Sequence, residues 1–133
     1  MEICTLKKRK DFVRAASKGQ RITTRNVTIL AAQNKSAQDL VTYVGYTTTK
    51  KLGKAHIRNL ARRRLRAIVR EIFPHYALDG FTYVLIGRYS TAGCPFDELR
   101  KDALYAVKKL TKTFRPQEDT ANEPAVPPAD SQH

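Results

Sequence analysis

The sequence predicts an α+β fold: a single-domain sandwich with helices laid against a mostly antiparallel sheet. Three observations carry that reading. Apolar residues recur at helical period in residues 56–73 and 94–114, whereas residues 25–33, 40–50 and 81–90 are short runs rich in β-branched and aromatic side chains. With 133 residues, the chain is long enough for one modest core that needs no disulfide or metal.

Each element has its own local signals. Residues 5–19 read as a short helix, with Thr5 as a possible N-cap, Phe12, Val13 and Ala16 at helical spacing, and Gly19 as the stop. In residues 25–33, Val27, Ile29 and Ala31 alternate with Thr28, Leu30 and Ala32, as a strand requires. The polar stretch 34–39 reads as a turn, so residues 40–50 are expected to pair with the preceding strand, Gly45 marking a bulge or a close approach of another backbone. Ile57, Ala61, Leu65, Ile68 and Ile72 form one stripe of a long helix that Pro74 is expected to end. Asp79-Gly80 introduces a strongly apolar, central strand. Pro95, Asp97 and Glu98 suit the start of a last helix with Phe96, Leu99, Ala103, Val107 and Leu110 as its buried stripe, and Lys108, Lys109 and Lys112 suit its end.

Charge narrows the function. The chain has 25 Lys and Arg against 12 Asp and Glu, a formal +13. Residues 115–133, rich in Pro, Ala and acids, are expected to be a disordered tail; residues 1–114 then form the domain and hold 24 basic and 8 acidic residues, a surplus of 16. Such a balance points to a polyanion, and nucleic acid fits better than membrane, because no apolar run approaches a spanning helix and the basic segment lacks an aromatic opposite face. Residues 1–10 carry no apolar signal core, so the expected location is cytoplasmic. Cys4 and Cys94 lack metal or redox spacing and read as ordinary thiols.

Residues 50–70 concentrate the charge: nine cations and no acid. On a helical wheel Arg58, Asn59, Arg62, Arg63, Arg66 and Arg70 form one continuous face opposite the apolar stripe, with Lys50, Lys51 and Lys54 leading in. Solvated helices intersperse acids at i,i+4, so an uncompensated row of guanidiniums fits a phosphate backbone better. Asn59 adds a group that can read a base edge or a ribose hydroxyl. Arg64 falls beside the apolar stripe and is expected to snorkel. Lacking a helix-turn-helix, zipper or zinc-finger pattern, the segment favours RNA over DNA.

Residues 6–12, 25–30, 43–59 and 62–66 together resemble the protein subunit of bacterial ribonuclease P. The most specific element is K-K-[apolar]-G-x-A-x-x-R-N-x-x-[KR]-R-x-x-R, met by Lys50, Lys51, Leu52, Gly53, Ala55, Arg58, Asn59, Arg62, Arg63 and Arg66. The resemblance implies an α-β-β-β-α-β-α sandwich, like the second domain of ribosomal protein S5, with a left-handed crossover into the arginine helix. It also implies two partners, a catalytic RNA subunit and precursor tRNA whose 5′ leader the holoenzyme removes, with no membrane and no obligate protein partner. Lys50, Lys51, Lys54, Arg58, Asn59, Arg62, Arg63, Arg66 and Arg70 would meet the catalytic RNA. A cleft holding the single-stranded leader would include Phe12, Arg14, Ala16, Lys18, Arg25, Thr28 and Leu30.

The chain departs from the family pattern at Leu60, where the motif commonly continues Arg-Asn-Arg and so places a further cation, and at Ala16 and Leu30, where the cleft often carries aromatics. His56, His75 and His133 are scattered and no carboxylate pair suits two-metal hydrolysis, so no protein-borne catalytic residue is expected. Mg²⁺ would be held mainly by the RNA of the holoenzyme and none by the protein alone. The alternatives are a basic RNA-binding protein without enzymatic role, such as a ribosomal protein, and a self-sufficient metal-dependent nuclease.

Overall fold

The computed structural model describes residues 2–115, so the tail expected at 115–133 lies outside the described residues from 116 onward. In chain order the elements are β1 (Ile3–Thr5), α1 (Arg9–Lys18), β2 (Gln20–Thr23), β3 (Val27–Gln33), β4 (Thr42–Thr47), a 3₁₀ turn (Lys50–Leu52), α2 (Ala55–Tyr76), β5 (Phe81–Gly87) and α3 (Phe96–Phe114). This is the expected α-β-β-β-α-β-α order, preceded by a three-residue strand too short to leave a period in the sequence. Thr5 ends that strand instead of capping α1, whose N-cap is Lys8; Gly19 is the C-cap as expected.

The five strands lie in the order β1-β4-β5-β3-β2. β4 therefore does not pair with β3 as expected, because β5 lies between them, antiparallel to β3 and parallel to β4. With β1–β4 parallel and β2–β3 antiparallel, the sheet is mixed, not mostly antiparallel. The physical reason is burial: β5 is the most uniformly apolar run, and a strand covered on both faces belongs at the centre. The parallel β4–α2–β5 connection is the crossover to which the resemblance assigns a left hand.

Side-chain alternation divides the sheet into two faces. Val27, Ile29, Ala31, Val44, Tyr83 and Leu85 meet the buried stripes of α2 and α3 in the main core. Leu30, Ala32 and Val84 pack with Ala15 of α1 and Leu6 in a smaller cluster on the other face. Ala15 is the buried residue of α1; of the apolar residues at helical spacing, Phe12 is half-buried against the smaller cluster, while Val13 and Ala16 are exposed. On α2, Ala61, Leu65, Ile68 and Ile72 are buried together with Val69 and Phe73. Pro74 lies inside the last turn and the helix runs on to Tyr76. A proline this near the end removes a single backbone donor, and the burial of Ile72 and Phe73 keeps the turn in place.

A polar clamp joins the ends of the elements. Asn26, 3% exposed, donates from its backbone N and its Nδ2 to Asp102 Oδ2 at 3.2 and 2.9 Å, and its Oδ1 accepts from Ser90 Oγ at 2.6 Å. Thr91 Oγ1 donates to the Asn26 carbonyl, and Arg64 Nη1 donates to the Thr91 carbonyl at 2.7 Å. Asp102 is thus an anchor for the β2–β3 turn, and Arg64 is half-buried structure, its guanidinium 5.6 Å from the centre of the Phe96 ring.

Candidate nucleic-acid interface

The turn Lys50–Leu52 delivers the chain to α2 through Gly53, whose φ of 129° lies where a Cβ is strained. Gly53 N closes the turn on the Lys50 carbonyl at 3.2 Å. This is the backbone reason for a glycine inside the basic run: it reverses direction so that Lys50, Lys51 and Lys54 stand exposed ahead of the helix.

On α2, Asn59, Arg63, Arg66 and Arg70 are exposed, and Arg58 and Arg62 are half-buried. Among the described residues, Arg100 pairs with Glu71 at 2.7 Å and with Asp97 at 2.6 Å, and none of the cations on the basic face of α2 forms an ion pair. Arg58 Nε is buried and has no hydrogen-bond partner there. Arg66 lies over the Tyr46 ring at 5.7 Å. Burial pushes the Tyr46 phenol up in pKa, and the charges of Arg66 and Arg70 pull it partly back.

On the other face of the sheet α1 crosses the strands, from β4 at its start to β3 at its end. Leu6 N, just ahead of it, bonds the Val44 carbonyl at 2.8 Å, and at its far end a Cβ on Gly19 would lie 2.5 Å from the Ala31 carbonyl oxygen. The Phe12 ring lies directly over Gly45, where a Cβ would come within 2.5 Å of ring carbons. Gly45 is thus a close-approach site as expected, although what approaches is a side chain. Beside α1 runs an open groove of about 580 Å³, walled by Phe12, Val13 and Ala16, floored by Leu30, Val84 and Ile86, and rimmed by Lys7, Arg9, Arg21 and Arg62. Arg62 donates from Nη2 to Thr48 Oγ1 at 2.8 Å, which fixes one guanidinium of the α2 face at the groove's edge. An apolar slot with a cationic rim suits a single strand, bases against the walls and phosphates outward.

The family model for ribonuclease P matches residues 2–111. The ribonuclease P protein component of Paramagnetospirillum magneticum is 42% identical over 108 residues, covering 79% of this chain and 80% of the relative. That of Ruegeria pomeroyi is 40% identical over 109 residues, with 81% and 86% covered. The chain belongs to the ribonuclease P protein family. Its fold agrees with the solved ribonuclease P protein from Thermotoga maritima, with a TM-score of 0.67, 25% identity and coverage of 79% of this chain and 96% of that one.

As a ribonuclease P protein, the chain serves as the protein component of an endoribonuclease holoenzyme whose other part is RNA. The ribosomal-protein alternative is set aside by the family match.

Of the residues expected in the leader cleft, the structure brings Phe12, Ala16 and Leu30 together in the groove. Arg14 does not join them: it lines a second depression across α1, because two residues on a helix place a side chain on the opposite side from Phe12 and Ala16. Lys18 and Arg25 are exposed outside the groove lining. Thr28 is buried on the same sheet face, accepting a 3.4 Å bond from Arg88 Nη1. Arg9, Val13 and Arg62 were missed for the groove. Helical spacing places Arg9 and Val13 with Phe12 and Ala16 and could have found them, whereas Arg62 comes from another element and carried no local signal. Leu60, which stands where the family motif commonly has an arginine after Asn59, is half-buried.

Asp97 and Glu71 are engaged by Arg100, Asp102 by Asn26, and Asp39 by Tyr43 and the Val41 amide. Among the described residues no three His, Cys, Asp or Glu side chains gather as metal ligands. Cys4 and Cys94 are free thiols.

Proposed function

We propose that the two surfaces divide the labour of ribonuclease P. The α2 face, with Lys50, Lys51, Lys54, Arg58, Asn59, Arg62, Arg63, Arg66 and Arg70, docks the catalytic RNA, and the groove beside Phe12 holds the single-stranded 5′ leader of precursor tRNA. The observation that carries this reading is a row of cations left without acidic partners among the described residues, continuous through Arg62 with an apolar slot. Stacking on Phe12 and packing against Val13, Leu30 and Ile86 would be sequence-tolerant, and the family aromatics replaced by Ala16 and Leu30 leave Phe12 as the main platform. Bond cleavage belongs to the RNA and its Mg²⁺. The protein neutralises phosphates and positions the leader, which raises affinity for precursor over mature tRNA and lowers the Mg²⁺ requirement.

Reconstitution tests this. Protein with a cognate catalytic RNA cleaves precursor tRNA at low Mg²⁺, where either part alone is nearly silent. Leader removal by the nuclease-free protein without RNA would instead establish a self-sufficient nuclease.

A further inference from the structure

We propose that the depression on the far side of α1 is a second subsite for the same RNA strand, gripping phosphates of the leader farther from the cleavage point. The proposal rests on the reading of the groove as the leader site. It starts from the three rows of side chains that the sheet presents to α1. Gly45, Val84 and Leu30 lie in register beneath the helix, Thr47, Ile86 and Thr28 lie on the groove side, and Tyr43, Thr82 and Ala32 on the other. Above that last row opens a cavity of about 420 Å³, separate from the groove.

Its walls carry Lys7, Lys8, Lys10, Arg14 and Lys35 against two acids, Asp11 and Asp39. Both acids are structurally placed. Asp39 accepts from Tyr43 OH at 2.9 Å and from Val41 N at 3.2 Å, and Asp11 stands in the first turn of α1, where a carboxylate complements the helix dipole. A surplus of positive charge therefore faces the cavity. Lys7 lines both this cavity and the groove, so the two meet at the start of α1 and a strand leaving the groove passes one cation into the next set.

The floor settles what the subsite recognises. Asn34 donates Nδ2 to the Asp39 and Val41 carbonyls at 2.8 and 2.7 Å, and its Oδ1 accepts from Thr82 Oγ1 at 2.8 Å. These polar groups are already paired, leaving the lysine ammonium groups and the Arg14 guanidinium as the ligand-facing donors. The subsite binds phosphate and is indifferent to base identity.

The test uses reconstituted holoenzyme and precursor tRNAs with leaders of about two or about ten nucleotides, the shorter ending within the groove. Lys10→Ala with Lys35→Ala should weaken binding of the long-leader substrate about fivefold to twentyfold and lower its salt slope by about 1 to 2, leaving the short-leader substrate unchanged. Lys10→Arg with Lys35→Arg should retain wild-type affinity. 4-Thiouridine at the distal leader should cross-link to the peptide containing Lys35. Equal weakening at both leader lengths, weaker binding to the catalytic RNA alone, or no weakening at all would overturn the subsite. Phe12→Ala separates the two readings, since it should impair both leader lengths. If it impairs neither while the lysine pair still tracks leader length, the groove assignment fails and the phosphate subsite stands.

Discussion

The α2 face and the α1 groove reach toward RNA by different physics. The face is a row of exposed and half-buried guanidinium and ammonium groups, none of which forms an ion pair among the described residues. The groove is built from apolar walls and floor, and its cations stand only at the rim. Charge of the first kind gives affinity that counterions erase, whereas a slot of the second kind gives shape selection for a single strand that salt affects less. On the proposed reading, the contrast lets one small domain hold a large folded RNA and also distinguish a substrate with a leader from a product without one.

The strongest way to break the comparison is to strip the face. Arg58→Ala, Arg63→Ala and Arg66→Ala together should weaken catalytic-RNA binding by about 3–4 kcal/mol, roughly a hundredfold to a thousandfold, and flatten its salt dependence by about 2 to 3 log units per tenfold salt. Thermal melting should stay where it is. A matching loss of stability would mean these side chains are structural.

Phe12→Ala should act on the other surface alone. A lost base stack of about 1–3 kcal/mol predicts roughly fivefold to 150-fold lost discrimination between precursor and mature tRNA, with the salt slope unchanged. If the slope changes and the discrimination does not, the groove works by charge and the contrast disappears.

Gly53→Ala probes how the face is delivered. A Cβ at φ 129° and 3.1 Å from Ile57 Cδ1 should cost about 1–2 kcal/mol of stability, read as a drop in melting temperature, and should weaken RNA binding by misplacing Lys50, Lys51 and Lys54. Gly45→Ala is the milder counterpart under the groove. The Phe12 ring can swing away, so the expected cost is below about 1 kcal/mol, accompanied by a few-fold change in leader discrimination that a binding titration detects.

The smallest effect concerns the sheet that both surfaces share. Burial holds the Tyr83 phenol up at about 12, and its oxygen accepts the Leu78 amide at 3.0 Å. Since this lies above the ordinary value near 10, Tyr83 contributes stability that is fully present below about pH 10 and is lost as pH rises toward 12. Denaturant melts between about pH 9 and 11 should show wild type losing stability faster than Tyr83→Phe. Parallel slopes would remove Tyr83 as the source.

Most of the α2 face was legible in the sequence, because one helix carries it and helical period alone assigns its side chains. The groove was legible only in part. Phe12 and Ala16 share a helix face and Leu30 follows from strand alternation, but Arg14 and Lys18 were placed there without regard to their angle on α1. Arg62 reaches the groove through Thr48, a contact between separate elements that no local pattern announces. Asn26 likewise looks like an ordinary turn residue until Asp102, Ser90 and Thr91 close around it.

By itself, then, the sequence determined the three helices, the runs that become β3, β4 and β5, and the unmatched charge, since each depends on spacing along the chain or on composition. Only the tertiary structure decided that β5 separates β3 from β4, that the apolar stripe of α1 lines a groove, and that two depressions meet at Lys7. Those outcomes depend on which strand buries both faces and on where a helix comes to rest across a sheet. They are contacts between residues far apart in the chain, and periodicity carries no record of them.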